Sequence, residues 1–465
     1  MMRIWGKRLC FIGVVSALSV SAQAEDLIDI YQLAKKNDPI NNAGFFQNEA
    51  VKEIYQQALA TLLPTVTFDY SKTKTTQEIL SSDNTVYESG ATSYPTTDFG
   101  LSITQSIYSF SNWAYFKQAK AEVKRSAAEL EDVHQELLMR VAQTYFATLK
   151  ERDNFISINA EVFSLEKHHE LVKQQHEDGI VRITDFLDAQ ARLMQAQARQ
   201  VEIVNDLRDA FQSLQEITGE LPKSLVTLGD QLQLSDPEPN VVSPWLENAQ
   251  LQNPSILARQ SALAIALQEV RRQRGGHYPT LDLVANQANS KTKGSLFGGG
   301  SEVETRDILL KLSVPIYSGG AVSSKVREAI SLQSKAKEEL TQAWRAVKRE
   351  THSAFNGVVG AVSKVNALKK SVDAYETATD AKITAFESGL VSSVNVLDAA
   401  RDLYIARNDF SAAQYEYLIN HLLLKRATGT LSLVDLESIN SMLQGVEIST
   451  DIEVMFSEAQ AALDN

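Results

Sequence analysis

Three histidines, His168, His169 and His176, form the only histidine cluster in the sequence. His169 and His176 are seven residues apart and share one face of a helix. Two imidazoles so placed could hold a metal if a third donor joined them. No H-E-x-x-H spacing supplies one, and the only cysteine is Cys10, so the group reads as solvated helix surface. The Gly298-Gly299-Gly300 run could approach a phosphate, but it has neither the lysine nor the following helix of a P-loop and reads as a flexible loop. No G-x-S-x-G elbow and no dinucleotide fingerprint occurs. The expectation is a protein that is not an enzyme, with no metal and no cofactor.

The segments that carry these residues are unusual in their own right. Of 465 residues, 22% are charged, 8% aromatic and 44% hydrophobic, which excludes collagen-like chains, disulfide scaffolds and wholesale disorder. No proline falls between Pro95 and Pro222 and none after Pro315, so two long stretches are free of the strongest helix breaker. Residues 1–24 read as a cleaved signal peptide: Arg3, Lys7 and Arg8, then an apolar run from Leu9 to Val20, then Ala22-Gln23-Ala24. Cys10 leaves with it. The mature chain would hold 42 basic against 58 acidic residues, an acidity that argues against nucleic acid as a partner.

The chain is duplicated. HEDGIVRITDFLDAQARLMQAQAR (176–199) aligns without gaps to FESGLVSSVNVLDAARDLYIARND (386–409), pairing Gly179 with Gly389 and Leu187-Asp188-Ala189 with Leu397-Asp398-Ala399. The same offset pairs Thr218-Gly219 with Thr428-Gly429. The first unit is placed at 25–235 and the second at 236–440, each reading helix, strand, loop, strand, long helix, helix. Val66, Phe68 and Tyr70 alternate with polar residues, as do Phe99, Leu101 and Ile103, then Leu281 and Leu283, then Ile308, Leu310, Leu312 and Val314. These place strands at about 64–74, 97–107, 279–289 and 306–316. Segments 72–97 and 290–305, rich in Ser, Thr, Gly and Asn, are expected as exposed hairpin loops.

Helical periodicity fills the rest: long helices over 110–175 and 321–387, shorter ones over 182–219 and 392–428. The long ones would each span roughly 100 Å and need lateral support, as in coiled coils. Within 394–422, Val394, Leu397, Tyr404, Tyr415, Leu418 and Leu422 keep a 3–4 register with polar Arg401, Asn408 and Ser411 between them, as suits a wall of helices with a wet face. The apolar strand faces could pack on a soluble core or face lipid, where only closed barrels satisfy the backbone without helices. Four strands cannot close such a barrel, and eight from two chains would fill their own interior. Three chains give twelve strands and, if the shorter helices stack end to end in pairs, a twelve-helix cylinder.

The runs ITQSIYSFSNW (103–113), DGIVRITD (178–185), GHYPTLDL (276–283), LSVPIYSGGAVSSKV (312–326), VLDA (396–399) and YLINHLLLKRATGTL (417–431) resemble the TolC family of outer-membrane exit ducts over nearly the whole mature chain. The resemblance implies an α+β membrane protein: a trimeric twelve-stranded barrel in the outer membrane, continued by a twelve-helix periplasmic barrel. A mixed equatorial region is placed in 220–255 and 431–465. The implied partners are two further copies, a periplasmic adaptor, an inner-membrane ABC or proton-driven transporter, and outer-membrane lipid. The other readings are a periplasmic coiled-coil scaffold and a passive porin, the latter needing many more strands per chain.

The turns at Gly179 and Gly389 would lie at the rod ends far from the barrel, where glycine lets one helix reverse into the next. The resemblance makes Gly179, Ile180, Gly389 and Leu390 adaptor contacts. It also implies a gate formed by Asp185, Phe386, Val391, Asn395 and Asp398. Relatives pair an acid at the Asp185 position with a tyrosine and an arginine; here Phe386 and Val391 stand in those places, and neither can form that bond. The expectation is closure by packing of Phe386, with three copies of Asp398 as a cation-favouring ring. Alternatively, Asp185 serves only to cap the helix that follows Thr184.

Overall fold

The computed structural model describes residues 25–81, 90–229, 232–295, 299–388, 390–443, 445 and 447–464. The expected signal peptide, Cys10, Gly298 and Gly389 lie outside them. In chain order the elements are α1 (Leu27–Asn37), α2 (Pro39–Ala60), β1 (Thr65–Ile79), β2 (Gly90–Tyr108), α3 (Phe110–Glu177), α4 (Ile183–Thr218) and β3 (Ser224–Val226). There follow α5 (Val242–Gln252), α6 (Pro254–Arg274), β4 (Thr280–Thr292), β5 (Ser301–Ser313), α7 (Ala321–Glu387), α8 (Ser393–Thr428), α9 (Leu433–Asn440), β6 (Glu447–Ser449) and α10 (Ile452–Asp464). Among the described residues no helix is long and apolar enough to cross a membrane.

The four long strands form one antiparallel sheet in the order β1-β2-β4-β5, so the hairpins of the two copies join edge to edge through β2 and β4. The strands outrun the sequence expectation. The β1–β2 ladder continues through Lys72↔Thr97 to Ile79↔Gly90, and β4–β5 runs to Thr292↔Ser301, so much of 72–97 and 290–305 is strand rather than loop. Beyond Tyr70 both faces are polar. Without a face to bury, such residues read as loop although the ladder still satisfies their backbone.

One face carries Val66, Phe68 and Tyr70 on β1, facing Ile103, Leu101 and Phe99 on β2. The other is hydroxyl-rich and cross-linked: Ser102 Oγ donates to Asn286 Oδ1 at 2.8 Å, and Asp98 accepts from Ser71 at 3.3 Å and Ser290 at 2.5 Å. The apolar stretch centres on Phe68 in β1 and on Leu310 in β5, whereas the ladder places Phe68 level with Leu101, Gln287 and Arg306. Four residues of climb over three strand steps is an inclination of roughly 43°, taking ~3.4 Å per residue and ~4.8 Å between strands. A level apolar belt therefore needs tilted strands, as in outer-membrane barrels, whose strands tilt about 35–45°.

The opening helix of each copy is split in two by the same device. Asp38-Pro39 and Asn253-Pro254 each put an N-cap acceptor before a proline in the first turn, so α2 and α6 begin there. These caps also build the rods. Asn253 Oδ1 accepts from the Ser255 and Ile256 amides at the start of α6, while its Nδ2 donates to Ala427 O at the end of α8, 2.9 Å away. In the first copy Asn37 Nδ2 donates to Thr218 O, the last residue of α4, at 2.6 Å. Thus α4 runs end to end into α2 and α8 into α6, alongside the unbroken α3 and α7. Buried Asp38 anchors the first junction to α3 through two hydrogen bonds from Arg140, 2.7 and 3.0 Å.

The main core lies midway along the rods, around Leu137, Tyr145, Phe146, Leu207, Phe211, Val358, Tyr415, Leu418 and Leu422. A short β3–β6 ladder beside it joins Ser224–Val226 to the C-terminal segment. Nearer the α3–α4 turn the packing thins to Ile158, Val162, Leu165, Leu193 and Ala196, with Leu397 reaching in from α8.

Candidate functional site at the helical tips

Both helix reversals end on the same local bond pattern. At the first, Ile180 N–H donates to Gln175 O at 2.8 Å and Gly179 N–H to His176 O at 2.9 Å, with Gly179 at φ +73°. This is the glycine-closed helix end that satisfies the last free carbonyls. At the second, Leu390 N–H donates to Ala385 O at 2.8 Å. Ile180 and Leu390 project from the two turns, 71% and 78% exposed.

The histidines are not solvated surface, contrary to the sequence reading. His168 is buried, and the rings of His169 and His176 lie on Phe186 of α4, with centroids 5.4 and 5.8 Å away and the second ring nearly parallel. His176 Nδ1 donates to Val181 O across the turn at 3.2 Å, and His169 Nε2 is buried without a partner. Burial, then the Arg192 charge, hold the His168 imidazole below its ordinary value. A helix-surface reading missed this because the partner ring comes from the next helix. Among the described residues no three His, Cys, Asp or Glu side chains are placed so that they could hold a metal ion.

Asp185 is exposed in the first turn of α4. It does not cap that helix: the N-cap is Arg182, with no side-chain cap bond, so the acid complements the helix end only by its charge. Phe386 lies in the last turn of α7 at 42% exposure, Val391 is half-buried in the turn that follows, and Asn395 is exposed. Among the described residues no hydrogen bond or ring contact joins Asp185 to Phe386 or Val391 within one chain.

Asp398 is the gate position that the structure ties down. Arg192 of α4 donates from Nη1 to Asp398 Oδ1 at 2.8 Å and from Nε to Asp188 Oδ2 at 3.1 Å. Arg401 lies 4.0 Å from Asp398 and bonds Asp402 at 3.1 Å. Five charges of alternating sign thus run from α4 to α8, along a cleft also lined by Glu161, Arg199 and Tyr404. Asp398 is consequently ion-paired within one chain. The Asp188-x-x-x-Arg192 spacing was the available signal, but it predicts only a pair along one helix. Toward the core, Ser157 Oγ donates to Asn408 Oδ1 at 2.6 Å and Tyr415 Oη to Asp153 Oδ2 at 2.9 Å. Of the polar slots of α8, Asn408 and Ser411 thus bond across to α3, whereas Arg401 pairs with acids on α8 itself; burial raises the Asp153 carboxyl above its ordinary value.

A four-stranded sheet, too small to close a barrel alone, set on four helical rods joined in pairs by tight turns, defines an outer-membrane exit duct. The family model of outer membrane efflux proteins matches residues 30–220 and 245–430, and the chain belongs to that family. It is 30% identical to the outer membrane protein TolC of Vibrio cholerae, over 93% of this chain and 97% of that one. It is 27% identical to the alkaline protease secretion protein AprF of Pseudomonas aeruginosa, over 91% and 88%. Its fold matches the Campylobacter jejuni CmeC outer membrane channel with a TM-score of 0.77, at 17% identity over 91% and 90% of the two chains. The protein is an outer-membrane exit duct of the class used in efflux and/or type I secretion, with its helical part in the periplasm. The scaffold reading, which leaves the sheet without a role, is set aside.

Proposed function

We propose that three copies close their sheets into one twelve-stranded barrel and their rods into one twelve-helix cylinder, giving a conduit with no catalytic step of its own. The supporting observation is the tilted apolar belt on a four-stranded sheet with free outer edges at β1 and β5. Segments 220–255 and 431–465 brace the cylinder at mid-height. At the tips, Gly179, Ile180, Gly389 and Leu390 meet the hairpin ends of a periplasmic adaptor. An inner-membrane ABC or proton-driven transporter supplies the energy. Asp185, Phe386, Val391, Asn395 and Asp398 surround the resting entrance, where Phe386, 42% exposed within one chain, meets its symmetry mates.

Fractionation tests this reading. The duct requires a heat-modifiable trimer in the outer membrane, and a soluble periplasmic pool would refute it. Cargo follows from the transporter, so deletion strains scored for both drug susceptibility and secreted protein distinguish efflux from protein export.

A further inference from the structure

The two helical hairpins, α3–α4 and α7–α8, are bound to each other unevenly along their length. At mid-height they share a large apolar core. Further out come Asp153–Tyr415 and Ser157–Asn408, then the small cluster that only Leu397 enters from α8. Beyond that the Arg192–Asp398 pair is the outermost tie between the hairpins that the structure shows among the described residues. It crosses a cleft instead of packed side chains. Arg192 is held for this role: its Nε is fixed by Asp188 one turn earlier on the same helix, which leaves Nη1 aimed at α8.

We infer that Arg192 is a selectivity-determining residue of the duct, masking the Asp398 carboxylate and clasping the α7–α8 tip against α3–α4 in the resting state. This rests on the proposed reading that α8 lines the entrance. With the clasp closed, Arg192 and Arg401 balance two of the three acids on the path from Asp188 to Asp402. The three-fold entrance then prefers cations less than it would with Asp398 unmasked. When the tip swings outward, Asp398 leaves Arg192 and three carboxylates face the opening. Selectivity is therefore coupled to opening, and Arg192 sets both.

Half-exposed ion pairs shift an equilibrium by about 1.5- to 5-fold each. Three copies acting on one entrance make that roughly 3- to 125-fold in the closed-to-open ratio. The test is single-channel recording in planar bilayers across a salt gradient, with purified trimers of wild type, Arg192→Gln, Asp398→Asn and the double variant. Arg192→Gln is expected to raise resting conductance and move the reversal potential toward cation selectivity. Asp398→Asn should raise conductance without that move, and in the double variant the shift produced by Arg192→Gln should vanish. Arg192→Lys, which keeps the charge but loses the second tie to Asp188, should fall between wild type and Arg192→Gln. If Arg192→Gln forms channels with wild-type conductance and reversal potential, the inference is wrong. A selectivity shift that persists in the double variant overturns it equally, since the unmasked charge would not be Asp398. Wild-type protein that forms no channel would instead overturn the duct reading.

Discussion

Three glycines in the left-handed region form a graded series that tests how the rods are joined. Gly179, Gly219 and Gly429 have φ of +73°, +81° and +74°, so alanine at each incurs a similar backbone cost of about 1–2 kcal/mol. Their surroundings differ. A Cβ on Gly179 would meet nothing within 4 Å, and one on Gly219 would lie 3.2 Å from the Asn37 side chain. On Gly429 it would lie 2.5 Å from Asn253 Cα and 2.6 Å from Gln252 O, backbone atoms at the α5–α6 junction. Relief there requires α6 to withdraw from α8, straining the Asn253–Ala427 bond, and overpacking of this kind costs about 1–3 kcal/mol more. The expected losses are therefore about 1–2 kcal/mol for Gly179→Ala, slightly more for Gly219→Ala because a side chain can yield, and about 2–5 kcal/mol for Gly429→Ala. Thermal unfolding of detergent-solubilised trimers, followed by circular dichroism at one fixed heating rate, measures the order. Equal losses at Gly179 and Gly429 would falsify the end-to-end stacking of α8 on α6 as a tight junction.

Other consequences follow from the same geometry. Phe68→Lys should cost about 2–4 kcal/mol if Phe68 faces mid-bilayer lipid, whereas Thr67→Lys on the opposite face should assemble normally; trimer yield in outer-membrane fractions distinguishes them. At Asp38, burial alone raises the carboxyl, but Arg140 and the Asn41 amide outweigh it and hold it below its ordinary value. A depressed carboxyl contributes stability above its unfolded value near ~3.9 that is lost as pH falls through the lower folded value. Asp38→Asn should therefore flatten the acid side of a stability profile, and Arg140→Ala should cost about 3–5 kcal/mol by stranding a buried charge. Phe386→Ala is expected to raise resting conductance, and unchanged conductance in both Phe386→Ala and Asp185→Ala would remove those two positions from the gate.

The parts of this protein legible in the sequence are those set by residues near one another in the chain. Period-two alternation around Phe68 and Leu310 marked the strands, the missing prolines marked the long rods, and Gly179 marked a reversal, because each reflects a local backbone requirement. Proline at 39 and 254 behind an Asp or Asn likewise declares a helix start within four residues. The strand ends were misjudged where both faces turn polar, since hydrogen bonding to a distant strand leaves no periodicity. Tertiary structure alone decided that β2 pairs with β4, that Asn253 joins the ends of two helices, and that Phe186 lies between His169 and His176. It also decided that Arg192 of one hairpin meets Asp398 of the other. A charge on a helix surface has many partners within reach in the unfolded chain, and only the packing angle of two hairpins selects one of them.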